Sequence, residues 1–178
     1  KNLILVLILF ILPSSGKSQF IEQWAQSYNG TGNYNDVATS IAVDEAKNVY
    51  VSGYSYGIGT LNDFALVKYN SNGIQQWMSR YNGPGNDNDN INAVILYNSD
   101  IYVTGQSVGS GTGYDYTTIK YNSSGVQQWA ARYNGPSNSN DGATAMAIDT
   151  QGNVYVTGQC YGGSSTSYDF VTIKYNNA

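Results

Sequence analysis

The sequence predicts an all-β fold, and three observations support this prediction. Short segments alternate apolar and polar residues with a period of two, as strands with one buried face do; NVYVSG at residues 48–53 is an example. Residues that favour strands are abundant, and the 178 residues include 17 Tyr. No segment shows the helical period together with a capped helix start.

One pattern of residues occurs three times along the chain. A Gln-Trp pair, a Val-Ser/Thr-Gly motif and a Lys-Tyr-Asn motif each recur at a spacing of 52 to 54 residues. We therefore divide a repeat domain at residues 19–178 into units 23–75, 76–127 and 128–178. Because the copies share one chain, equivalent residues can be compared directly.

Each unit holds four predicted strands that follow one another up and down. The first type covers residues 38–44, 92–97 and 143–149, the second 48–53, 100–105 and 153–158, the third 63–70, 115–122 and 169–176, and the fourth 23–29, 76–82 and 128–134. The longer connections are the second ones, at 54–62, 106–114 and 159–168, and the links between units, at 30–35, 83–88 and 135–140. Since neighbouring strands alternate in direction, these longer connections are expected on one face, which is the face to search for binding.

Four antiparallel strands repeated at this period are typical of the blade of a β-propeller. The order ATAMAID, NVYVTG, YDFVTIKYN, a Ser/Asn-Gly turn, QQW and RYNGP resembles the bacterial β-propeller repeat family SBBP, typical of exported bacterial proteins. The resemblance covers about residues 22–178. It implies a propeller in an extracellular setting and no particular reaction.

The number of blades remains open at this point. The chain starts on a fourth-type strand at residues 22–29 and ends on a third-type strand at 169–176, so the first can complete the blade of the last. Propellers have about four to eight blades, and three would have to splay widely. The chain is therefore either a partial propeller, with further blades in the same protein, or half of a dimeric six-bladed ring.

Composition excludes several kinds of chemistry. There is no His and one Cys, Cys160, so His-dependent hydrolysis, His-ligated zinc and intramolecular disulfides are excluded. Cys160 stands where the other units have Ser, which indicates a tolerated small residue rather than a nucleophile. The net charge is -4 and the basic residues are scattered, so no nucleic-acid partner is expected.

The first residues resemble a secretory signal peptide. Residues 3–12 form an apolar run after Lys1, and small polar residues follow it, so we assign residues 1–18 to a signal peptide cleaved after Gly16 or Ser18. A buried strand or a short anchor is the alternative. With this segment removed, no transmembrane span is expected, and the protein is expected to be secreted or displayed on the cell surface.

Tyrosines outside the repeated strand positions are the binding candidates. They are Tyr34, Tyr54, Tyr56, Tyr114, Tyr161 and Tyr168, all expected on the face of the long loops. The repeated Trp24, Trp77 and Trp129 are expected to pack between blades instead. The leading hypothesis is a non-catalytic scaffold for binding or adhesion to a protein or glycan. The alternatives are a glycan-binding module that uses loop Tyr and Asn, and a fragment of a larger exported polysaccharide-active enzyme.

Repeated charged residues have structural explanations. Asp36, Asp89 and Asp141 are expected to fix the turn into the first strand. The alternative is calcium, for which Asp87 and Asp89 are the best candidates; no other cofactor is expected. The repeated Lys68, Lys120 and Lys174 are expected to pair with a carboxylate of a neighbouring strand or blade, for which Asp36, Asp89 and Asp141 are candidates.

Overall fold

A computed structural model describes residues 21–176 of the chain, and within them it contains eleven β-strands and no helix. The strands are β1 (Asp36–Val43), β2 (Val49–Gly57), β3 (Leu61–Tyr69), β4 (Gln75–Tyr81), β5 (Asp89–Tyr97), β6 (Asp100–Gly109), β7 (Gly113–Tyr121), β8 (Gln127–Tyr133), β9 (Asp141–Ile148), β10 (Val154–Tyr161) and β11 (Tyr168–Tyr175). The predicted all-β fold is confirmed. The assigned signal peptide, residues 1–18, lies outside the described residues. The part of the chain that is described contains no helix that could cross a membrane.

The strands form three antiparallel sheets in which each strand pairs with its neighbour in the sequence. Blade 1 holds β1 to β4, blade 2 holds β5 to β8, and blade 3 holds β9 to β11. The sequence unit and the blade are offset by one strand, because the Gln-Trp strand that opens the second and third units is the outer strand of the blade before it. The sheets are consistent with partial propeller blades, and they do not close into a ring.

The Val-Ser/Thr-Gly motif is explained by a bulge in the first strand of each blade. The hydrogen-bonding register with the second strand shifts between Ala38 and Ser40 in β1, and between the equivalent residues Ile91 and Ala93 in β5. The partner strand approaches closely there: a Cβ on Gly105 would lie 2.0 Å from the carbonyl oxygen of Asn90. Only glycine fits such an approach, so the motif ends in Gly in every unit.

Apolar residues from facing blades form two cores. The core between blades 1 and 2 includes Phe64, Leu66 and Ile91, and the core between blades 2 and 3 includes Tyr116 and Val156. Each such fully buried side chain stabilises the fold by roughly 1.5–3 kcal/mol. The blades are therefore held together mainly by face-to-face burial.

The tryptophans mark the same interfaces. The indole N–H of Trp77 in β4 donates to the carbonyl oxygen of Ser123 in the β7–β8 turn, at 3.1 Å. Trp129 in β8 contacts the ring of Tyr175 in blade 3, with centroids 6.0 Å apart. Both lie between blades, as predicted.

The twelfth expected strand is absent from the sheets. Residues 21–29 are not hydrogen-bonded into any ladder, and they do not complete blade 3. Trp24 instead lies on blade 1, where its ring contacts Tyr69 with centroids 6.2 Å apart. The prediction of a strand at 23–29 is wrong for this chain taken alone, because a strand exists only where another strand pairs with it.

Candidate functional site

The predicted binding face is the end of the blades where the inter-blade links run, at residues 30–35, 82–88 and 134–140; we call it the linker end. The long second connections are mostly strand instead. In blade 1 the β2–β3 ladder continues to Gly57 opposite Leu61, so only residues 58–60 connect the two strands. Leu61 and Gly59 have positive φ angles of 56° and 83°, which produce this tight reversal.

As a consequence, most of the candidate tyrosines lie in strands rather than loops. Tyr34 alone lies in a link, before β1. The strand positions are Tyr54 and Tyr56 in β2, Tyr114 in β7, Tyr161 in β10 and Tyr168 in β11. The expectation that all six lie in loops is wrong, because the alternation of these segments continues further than their Gly and Ser content indicated.

Four of these tyrosines form two pairs at the linker end. The rings of Tyr34 and Tyr56 are 5.1 Å apart and tilted by 59°, and those of Tyr161 and Tyr168 are 5.2 Å apart at 60°. One ring of each pair is accessible, since Tyr34 is 68% and Tyr168 49% exposed. Blades 1 and 3 therefore each present an aromatic surface.

Tyr114 and Tyr54 do not join such pairs. Tyr114 is aligned with Val108, which replaces the tyrosine found there in blades 1 and 3. Burial, together with the negative charges of Asp87 and Asp89, raises the pKa of Tyr114. Tyr54 is aligned with the core residue Phe64 and therefore points to the same sheet face.

The links themselves share one geometry. In the first link the backbone N–H of Gly30 donates to Asp36 at 2.8 Å, and Asn33 takes a φ of 47°. Asp89 and Asp141 accept the equivalent bonds at 2.6 Å each, from the N–H groups of glycines six residues upstream. The predicted turn-fixing role of these aspartates is confirmed.

An arginine clamp lies beneath the linker end in blades 1 and 2. Arg80 of β4 donates to the hydroxyl of Ser55 at 2.7 Å, to the Ser55 carbonyl at 2.9 Å and to Asp63 at 2.7 Å. In blade 2 the guanidinium of Arg132 makes the same three kinds of bond, the one to the buried Asp115 at 2.8 Å. Charge-assisted bonds of this kind are the strong ones, so the clamp ties the outer strand to the middle of the blade.

Sequence reasoning missed the clamp. The arginine occurs in two of the three units, so a comparison of residues common to all units does not reveal it. The sequence does contain one indication of the clamp. Ser27 stands at the arginine position of the first unit, and Cys160 stands at the serine position of blade 3, so each partner is replaced in one copy.

The oxygens proposed for calcium do not converge. Asp89 is fully buried and binds the N–H of Gly83, whereas Asp87 accepts from the backbone and side chain of its neighbour Asn88. Within residues 21–176 no group of three or more Cys, Asp or Glu side chains could hold a metal ion. Burial, with a further contribution from the charge of Asp63, raises the pKa of Asp89. One oxygen of Asp89 has no hydrogen-bond partner.

The three repeated lysines contact tyrosine rings. Lys68, Lys120 and Lys174 each lie over a tyrosine ring of the neighbouring strand, at 5.1 to 5.5 Å from its centroid. Lys120 also pairs with Asp100 of the neighbouring strand β6 at 2.9 Å, which confirms the predicted pairing with a carboxylate for this lysine. The expected pairing with Asp36, Asp89 and Asp141 is wrong, because those aspartates lie at the linker end and the lysines lie toward the opposite end of the strands.

Three groups that an enzyme could use and that differ between units, Asp87, Asp100 and Cys160, are dispersed over the described residues. Asp87 lies in a link, whereas Asp100 lies at the other end of blade 2, where it binds Lys120. Cys160 is buried, and burial together with a hydrogen bond to Asp141 raises the pKa of its thiol to about 11. At neutral pH this thiol is protonated and is a poor nucleophile.

Comparison with known families gives one result. Residues 23–59 match the family model of the β-propeller repeat SBBP. The chain carries an SBBP-type β-propeller repeat. The SBBP match runs from the segment before blade 1 through the first link and β1 into the β2–β3 turn, and the internal repetition carries the pattern through blades 2 and 3. No curated protein matches the chain.

Proposed function

We propose that this propeller is an exported, non-catalytic scaffold that binds a protein or glycan through the tyrosines of its linker end. The observation that carries the proposal is the pair of aromatic surfaces at Tyr34/Tyr56 and Tyr161/Tyr168. Tyr34 departs from the repeat, since the residues at its position are Asp87 and Ser139 in the other links. On a scaffold of repeated units, a surface that binds one particular ligand is expected where a residue differs from its counterparts in the other units.

The chemistry of this end suits recognition. An exposed tyrosine ring offers a rigid apolar face and a hydroxyl at little entropic cost, which suits both sugar rings and protein side chains. Amide groups of the links add to this surface: Asn88 accepts a hydrogen bond from Asn62 of β3 at 2.9 Å, and Asn140 accepts the N–H of Tyr114 at 3.1 Å. These bonds join neighbouring blades and hold the surface in place.

Export is proposed from the sequence. The apolar run of residues 3–12 and the small residues after it have the pattern of a signal peptide. A scaffold of this kind would act outside the cell or on its surface, and the family resemblance to exported repeat proteins supports the same setting.

Binding of the fluorescently labelled chain to a glycan array and to intact cells tests the proposal. Saturable binding is expected, and Tyr34→Ala and Tyr168→Ala are each expected to weaken it. Ile74→Ala and Val126→Ala remove exposed apolar side chains from the β3–β4 and β7–β8 turns at the other end and serve as matched controls.

Treatment of the cells separates the two ligand classes. Loss of binding after glycosidase treatment, with a signal on the array, assigns a glycan, and loss after protease treatment alone assigns a protein. Binding that the two tyrosine variants leave unchanged would overturn the proposed site.

A further inference from the structure

We propose that two copies of this chain join head to tail, with residues 22–28 of each copy forming the fourth strand of the other copy's blade 3. The product is a closed ring of six blades. This inference is independent of any ligand at the linker end.

The acceptor is the free edge of β11. Phe170 of this strand is 86% exposed, whereas the equivalent Phe64 and Tyr116 are 1% and 0% exposed. Those two are covered by Tyr81 and Tyr133 of the outer strands β4 and β8, with which they are aligned. Blade 3 lacks such a strand within the described residues, so an apolar side chain and a row of backbone groups are left uncovered.

The donor is the segment at residues 21–29. Its QWAQSYN matches QWMSRYN of β4 and QWAARYN of β8. It also lies where those strands lie: Trp24 packs on Tyr69 of blade 1 as Trp129 packs on Tyr175 of blade 3. The segment therefore occupies the position that the outer strand of a preceding blade would take. Within the described residues there is no sheet with which it pairs.

The facing first strands support the same contact. The bulge residue Thr39 of blade 1 donates to the carbonyl of Ile91, and Asn92 of blade 2 donates to that of Ala143 at 2.7 Å. The equivalent Thr144 of blade 3 is exposed, and so is Ile41 of blade 1, whose counterpart in blade 2 is the buried Val94. The same interface forms between blades 1 and 2 and between blades 2 and 3. The free face of blade 3 and the free face of blade 1 carry its two halves.

A joint substitution points to the same pairing. In blades 1 and 2 an arginine of the outer strand binds a serine of the second strand, Arg80 with Ser55 and Arg132 with Ser107. The donor segment has Ser27 in place of the arginine, and blade 3 has Cys160 in place of the serine. Both members change together, as expected if they face each other in one blade.

The number of described blades fits a second copy as the occupant. An interface between unlike ends propagates from copy to copy until the rotation closes. The described residues of one copy form three blades, and about four to eight blades close a propeller, so the described blades of two copies fit one ring and those of three exceed the range.

Mass measurement in solution tests the assembly. The purified chain is expected at twice the mass of one copy by light scattering. Phe170→Glu is expected to give monomers, because it places a charge on the covered edge, whereas Ile58→Glu, at an equally exposed site in the β2–β3 turn, is the matched control and is expected to stay dimeric. A monomeric wild-type chain, a dimer that Phe170→Glu leaves intact, or filaments would each overturn the proposal.

Cross-linking tests the register. By analogy with Leu66 opposite Ser79, Thr172 faces Gln26 of the other copy. The double variant Thr172→Cys/Gln26→Cys is expected to form disulfides between chains, and the out-of-register Thr172→Cys/Gln23→Cys is not. A disulfide within one chain would show that the segment returns to its own blade 3 and would overturn the exchange.

A gain of affinity is the most specific test. Ser27→Arg is expected to lower the dissociation constant of the dimer roughly tenfold, by rebuilding the ion pair with Asp169 that Arg80 makes with Asp63. Adding Asp169→Asn is expected to remove the gain. Equal affinities of the wild-type and Ser27→Arg dimers would overturn the assigned pairing.

Discussion

Replacing Arg80 by Met tests whether the arginine clamp holds blade 1 together. The change removes four hydrogen bonds, two of them to the Asp63 carboxylate and two to Ser55. It leaves a carboxylate that is 6% exposed without its cation, and whose other oxygen already has no partner. The clamp is therefore expected to be worth much more than a surface ion pair.

The magnitude follows from the burial of the two partners. Removing one member of a buried ion pair costs about 3–5 kcal/mol, and because the Arg80 side chain is 19% exposed we take the lower end, about 3 kcal/mol. For a domain of this size the melting temperature falls by about 2–4 °C per kcal/mol, so a drop of roughly 6–12 °C is expected.

Thermal unfolding followed by circular dichroism gives the readout. The double variant Arg80→Met/Asp63→Asn removes both charges and is expected to recover most of the loss, with a coupling of about 2 kcal/mol. Lys47→Met, at an exposed site in the β1–β2 turn, is the control and is expected to change little. The reasoning is refuted if Arg80→Met melts within about 2 °C of wild type, or if the double variant is no more stable than the single one.

Three further predictions concern single residues. Asp89→Asn is expected to raise the free energy of unfolding at about pH 7 and to leave it unchanged near pH 4, because a carboxyl whose pKa burial raises destabilises the fold progressively as the pH rises from its unfolded-state pKa, about 4, to the raised pKa; urea titrations at both pH values measure this, and equal effects would contradict it. Gly105→Ala is expected to destabilise by roughly 1–3 kcal/mol, because the added Cβ collides with the backbone of Asn90; a melting curve like that of wild type would argue against the close approach. Lys120→Met breaks a pair with Asp100 whose side chains are 21% and 30% exposed, and it is expected to cost about 1 kcal/mol and to leave ligand binding unchanged; loss of binding at unchanged stability would indicate a role beyond structure.

Much of the fold could be predicted from the sequence, because three copies of one unit can be compared with each other. The alternation of NVYVSG and its copies defines strands, and a tryptophan repeated at one strand position indicates packing between blades, as Trp77 and Trp129 show. The role of Asp36 was also predictable, since a short carboxylate before a strand accepts backbone N–H groups whatever lies around it.

The roles of other residues depend on the strands and side chains they pair with, and a comparison of equivalent positions between units does not reveal those partners. Tyr56 and Tyr161 stand among Gly and Ser, yet their backbones pair with the next strand, so they belong to the sheet rather than to a loop. Lys120 finds Asp100 only because this unit has an aspartate at the position that Asn48 and Asn153 occupy in the others. The clamp was hidden because Arg80 and Arg132 have no counterpart in the first unit, and comparison by columns common to all units discards them.

The offset of one strand between the sequence unit and the blade bears on how such a protein can grow. A duplicated unit adds three strands to a new blade and one to the blade before it, so every insertion creates one complete inter-blade contact and leaves both ends of the array as they were. Units can be gained or lost without redesigning either end. The number of blades is then fixed by the angle at which neighbouring sheets pack, and not by any residue that encodes a count.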